Sequence, residues 1–120
     1  MFTVLGAVFG FLGVALGAFG AHGLKGTLAP EMLAVFETGV RYQVYHALAL
    51  LALGLSGDRL PRALTLWAGR LFAGGVVVFS GSLSGLAVTG IKWLGAITPF
   101  GGAALLAGWA VLAVAAWRAR

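Results

Sequence analysis

Apolar residues run almost unbroken from Phe2 to Ala21 and dominate the second half of the chain, with polar residues gathered into short interruptions. No Asp, Glu, Lys or Arg falls between Met1 and Leu24, Tyr42 and Gly57, Leu71 and Ile91, or Trp93 and Trp117. A helix needs ~20 predominantly apolar residues to cross the hydrocarbon core of a bilayer. Three of these stretches are long enough alone, and the second becomes so when extended back over "EMLAVFETGVR". The pattern predicts an all-α protein, a four-span transmembrane helix bundle. Its spans lie at about 2–21, 31–55, 63–86 and 99–117 within a single membrane domain over 1–120.

The interruptions have turn chemistry. "HGLKGTLAP" carries glycines that break a helix, and Pro30 suits the first turn of the next. Glu31 and Glu37 follow near the positive end of that helix dipole. "SGDRLPR" is a short turn, "VTGIKWLGAITPFGG" links spans three and four with Pro99 opening the last helix, and "WRAR" closes it. Composition sharpens the assignment: 61% of the 120 residues are hydrophobic and only 9% charged. A soluble domain runs nearer ~25% charged. The net charge of +5 is scattered singly, which fits topology signals and not nucleic acid. Arg59, Arg62, Arg118 and Arg120 fall on one side, Lys25 and Lys92 on the other, which predicts both termini inside. The first apolar run has no preceding basic residue and exceeds a usual signal-peptide core, so it reads as a retained span. Trp67, Trp93 and Trp117 lie near span ends, whereas Trp109 falls mid-span at a packing position.

Gly6, Gly10, Gly13, Gly17 and Gly20 form one slowly drifting stripe on span one. In lipid, helices are held together by close backbone approach and dispersion, which small residues permit. Span three offers Gly74, Gly81 and Gly85, and span four Gly101, Ala104, Gly108 and Ala115. The expectation is that spans one, three and four meet through these faces in a compact bundle; the rival is a seam between protomers.

Span two carries "ETGVRYQVYHA", a polar side of Glu37, Arg41, Tyr42, Tyr45 and His46. One reading pairs Glu37 with Arg41 near the interface; the other makes a polar pocket that binds or conducts something. Two antiparallel neighbours would set His46 and Arg70 at similar depth, and His22 reaches Glu37 if their helices adjoin. Ser80 and Ser84 are placed to bond to neighbouring helices. Two histidines on different spans do not make a metal or haem site, and no cysteine is present. The serines of "FSGSLSG" have no His–Asp partners, and no glycine run matches a phosphate loop. No catalytic residue and no cofactor is expected.

Four motifs, "GAFGAHGL" (17–24), "TGVRYQVYHALALL" (38–51), "FSGSLSGLAVTG" (79–90) and "ITPFGG" (97–102), together resemble domain-of-unknown-function family 423. That resemblance implies a small four-span bacterial inner-membrane protein of uncharacterised function, related to mitochondrial transmembrane proteins of animals, and supplies no site residues. Ser84 stands where a tyrosine often follows "GSL" in that family. The expected function is therefore non-enzymatic, through lipid, protein or self-contacts. The alternative is a transporter or channel using Glu37, Arg41, Tyr45, His46 and Arg70.

Overall fold

The structure is a computed structural model covering residues 1–120, and it contains four long helices and no strand. They are α1 (Phe2–Phe19), α2 (Pro30–Leu55), α3 (Arg62–Thr89) and α4 (Leu94–Ala119). α1 runs on through one wide π-type turn, Gly20–Leu24, against which Phe19 folds its ring over Gly23. Pro30 opens α2, where its missing N–H would have no helical partner anyway. α3 ends because Gly90 takes φ 73°, and its N–H caps the Leu86 carbonyl. A short 3-10 turn, Gly57–Arg59, joins α2 to α3.

α4 starts earlier than its sequence suggested. Leu94, not Pro99, opens it, so the link between α3 and α4 shrinks to residues 90–93. Pro99 sits inside the helix, where the backbone donor it lacks is missed by the Gly95 carbonyl one turn back.

Three of the helical segments, Phe2–Leu24, Arg62–Thr89 and Leu94–Ala119, are long and apolar enough to cross a membrane. α2 has the length but is diluted by its polar residues. Only 24 residues are buried in a chain that is 61% hydrophobic, so most apolar surface faces outward. The accessible surface of 6996 Å² exceeds the ~6,100 Å² expected of a compact soluble chain of this mass. The molecule measures 49 × 26 × 18 Å, long enough for a hydrocarbon core of ~30 Å.

The close helix pairs are sequential: α1 on α2, α2 on α3, α3 on α4. The glycine stripe of α1 therefore meets α2, not α3 and α4 as its spacing alone suggested. A methyl group on Gly6 would lie 2.8 Å from the Ala47 carbonyl oxygen, and one on Gly13 2.7 Å from a Val44 methyl. Gly17 faces Val40 and Gly20 faces the Phe36 ring, while Gly10 leaves 4.0 Å to Ala47. Phe36, Val40, Val44, Ala47 and Leu51 form the matching ridge on α2, also spaced by four and three.

α3 and α4 do meet through small residues. Gly75 receives Leu105, Gly101 receives Phe79, and Gly108 receives the Phe72 ring. Gly85 lies against Leu94. Gly74 and Gly81 have nothing within 4 Å and pack on no other helix. The main core, Ala49, Leu50, Leu53, Ala68, Phe72, Val76 and Leu105, sits where α2, α3 and α4 converge.

Candidate functional site

The side chains best placed for a site surround His46. It occupies the inner face of α2, only 4% exposed. Its Nδ1 lies 2.6 Å from the Tyr42 carbonyl oxygen one turn back, and Trp109 of α4 donates its indole Nε1–H to Nε2 at 3.0 Å. Indole N–H can only donate and a carbonyl can only accept. The two contacts therefore fit one arrangement of the ring, with the proton on Nδ1 and a free lone pair on Nε2. Aromatic rings enclose it: Phe72 at 5.5 Å, Trp109 at 5.8 Å and Tyr42 at 6.3 Å between centroids. Phe72 and Trp109 meet edge to face at 5.0 Å, within the favoured range for such pairs.

Beside this cluster a lateral groove of about 530 Å³ opens between α2 and α4, floored by Phe79 and Leu105. Tyr42, His46 and Trp109 supply its few polar atoms; Pro99 and Leu106 are among its apolar walls.

The polar side of α2 does not form one pocket. Tyr42 packs on Phe79 of α3 at 5.1 Å and borders the groove beside α4. Gln43, on the opposite flank, donates Nε2–H to the Phe9 carbonyl of α1 at 3.0 Å. Glu37, Arg41 and Tyr45 are exposed. Glu37 and Arg41 stand one turn apart yet form no ion pair with each other. His22 lies exposed in the π-type turn and is not joined to Glu37. His46 does not meet Arg70; that arginine is exposed on α3, its guanidinium 5.8 Å from the Trp67 ring centroid. The reason is rotational: His46 turns toward α4, leaving Arg70 on another face of α3.

The serines also differ from expectation. Ser82, not Ser80 or Ser84, makes the interhelical bond, to Thr98 Oγ1 of α4 at 2.5 Å. Ser80 Oγ is buried with no partner at all. Trp109 and Gln43 are the residues that sequence reasoning left out of the site. Trp109 carried one signal, its mid-span position away from the interfacial tryptophans.

These features define a small all-helical membrane protein in which three of the four buried polar side chains, Gln43, His46 and Ser82, are bonded to neighbouring helices. The chain belongs to the protein family of unknown function DUF423, whose family model matches residues 16–102 and so takes in all four motifs quoted above. It is 48% identical over 117 residues to the UPF0382 membrane protein YwdK of Bacillus subtilis, covering 97% of this chain and 95% of that protein. The UPF0382 membrane protein SH2409 of Staphylococcus haemolyticus is 45% identical over 118 residues, covering 98% and 96%. No solved structure matches the chain.

Proposed function

We propose that this chain spans the bacterial inner membrane four times with both termini in the cytoplasm. It works through contacts with lipid and protein, further copies of itself included, and performs no chemistry on a solute. Three apolar helices and the arginine-rich side at Arg59, Arg62, Arg118 and Arg120 support the topology. α2 is the fourth span on this reading, lying in close pairs with α1 on one side and α3 on the other.

The observation that carries the reading is the state of the polar side chains. Gln43, His46 and Ser82 each hold an interhelical partner. A carrier has to leave such groups free to exchange partners with its cargo. Meanwhile Glu37, Arg41 and Tyr45 follow one another at single-turn spacing on the outward side of α2. Charged groups facing acyl chains are costly, so that stripe favours cover from headgroups or another protein.

The test is the double variant Glu37→Gln/Arg41→Gln, purified and reconstituted into vesicles beside the wild type. Wild-type vesicles loaded with a pH-sensitive dye are expected to hold proton and potassium gradients as well as empty ones. The variant is expected to lose association, read by cross-linking. A wild-type flux that disappears in a normally assembled variant would replace this reading with transport.

A further inference from the structure

A second groove, of about 580 Å³, opens where the start of α1 meets the α2–α3 turn. Arg62, Thr65 and Arg70 of α3 line it. Arg62 and Arg70 are eight residues apart, so they stand ~12 Å apart along the helix. Below them the wall is hydrocarbon, including Phe2, Leu5 and Ala73. Asp58 lines the rim but pairs with neither arginine, which leaves the groove with an excess of positive charge.

The level of this groove follows from α1. Thr3 lies against Gly54 near the end of α2, and the Phe2 ring lies against Gly69. The first residues of the apolar α1 segment thus sit beside the stretch of α3 that holds Arg70. If α1 and α3 cross the bilayer, that level is the boundary between headgroups and acyl chains. A guanidinium there, stacked near Trp67 and without a carboxylate partner, calls for an anion. Arginine is suited to phosphate because its planar fork donates two parallel hydrogen bonds.

We propose that this groove seats one anionic phospholipid, its phosphate between Arg62 and Arg70 and an acyl chain along Phe2, Leu5 and Ala73. The proposal rests on the membrane-spanning reading of α1 and α3. Charge complementarity selects an anionic headgroup over a zwitterionic one, and the apolar wall selects a lipid over free phosphate.

Native mass spectrometry of the full chain tests it, with phosphatidylglycerol, phosphatidylcholine or inorganic phosphate added to detergent micelles. The wild type is expected to retain one phosphatidylglycerol in preference to phosphatidylcholine, and millimolar inorganic phosphate is expected not to displace it. Arg62→Gln/Arg70→Gln should weaken retention by roughly tenfold or more, while Arg118→Gln, whose residue does not line the groove, should leave it unchanged. Equal retention by the double variant overturns the proposal, as does equal loss in Arg118→Gln or displacement by inorganic phosphate. Resistance of each protein to carbonate extraction from membranes separates the two failures. Retained proteins without lipid selectivity sink the groove alone, whereas extracted wild type sinks the membrane reading beneath it.

Discussion

Two alanine substitutions one turn apart on α1 should act in opposite directions. At Gly6 a new methyl group would stand 2.8 Å from the Ala47 carbonyl oxygen and 2.9 Å from the Leu51 nitrogen. Ordinary contact begins near 3.4 Å, so α1 and α2 would have to part by about 0.6 Å at that point. Both obstructing atoms are backbone, and a side-chain rotation cannot relieve them. Overpacking of this kind costs about 1–3 kcal/mol. At Gly10 the nearest atom is the Ala47 Cβ, 4.0 Å away, so a methyl group fits. There the substitution removes glycine's conformational penalty, ~1 kcal/mol in a water-exposed helix, and should be neutral to mildly stabilising. Both substitutions gain the same helix propensity, so the two variants should differ by the overpacking cost, about 1–3 kcal/mol, although each adds one methyl group. Reversible unfolding in mixed dodecylmaltoside–SDS micelles, followed by far-ultraviolet circular dichroism, measures the difference. Equal destabilisation by Gly6→Ala and Gly10→Ala would refute the α1–α2 seam.

The pair at the centre of the molecule should show energetic coupling. Trp109→Phe leaves His46 Nε2 without its donor and should cost about 1–3 kcal/mol, and a double-mutant cycle with His46→Phe should return a coupling near 1 kcal/mol. On the α3–α4 seam, Gly108→Ala drives a methyl group to 2.8 Å from the fully buried Phe72 ring and should destabilise by about 1–3 kcal/mol, whereas Gly81→Ala meets nothing and should be neutral. Ser80→Ala removes a buried hydroxyl that has no partner and should raise stability by up to about 1 kcal/mol in the same unfolding assay. Gly90→Ala puts a side chain at φ 73° and should cost about 1–2 kcal/mol, read as fraying at the end of α3 by hydrogen exchange.

The helices were legible because charge-free runs and turn residues are local signals, and the tight packing of α1 was legible because glycines at steps of three and four announce close approach. What approaches was not, since a bare seam accepts any ridge of the right period. The choice lies with Phe36, Val40, Val44, Ala47 and Leu51, which lie one α1–α2 connection away and are reached by a simple antiparallel return. Pro99 misled because proline at a helix start and proline in the second turn of a helix look alike without the preceding residues' hydrogen bonds. His46 was recognised as a candidate, but its partner depended on the rotation of α4, and a tryptophan 63 residues further along the chain leaves no local trace.

The polar side of α2 shows what sequence periodicity leaves open. At 100° per residue, Glu37, Arg41 and Tyr45 drift slowly along one edge, Tyr42 and His46 lie further round, and Gln43 further still. Read as a single face, they suggest a pocket; resolved into directions, they address different neighbours. Gln43 engages α1, His46 engages α4, and Gly39 between them admits α3 to within 3.2 Å of where its methyl group would stand. Only the Glu37–Arg41–Tyr45 edge is left outside. The two helices that carry the buried polar residues are also the best covered: α2 and α3 bury eight residues each, α4 four and α1 two. The central position of α2 gives its buried polar residues, Gln43 and His46, partners on two different helices. A buried polar group whose partner sits on another helix is satisfied only once that helix is in place, so Gln43 and His46 tie the seating of α2 to α1 and α4.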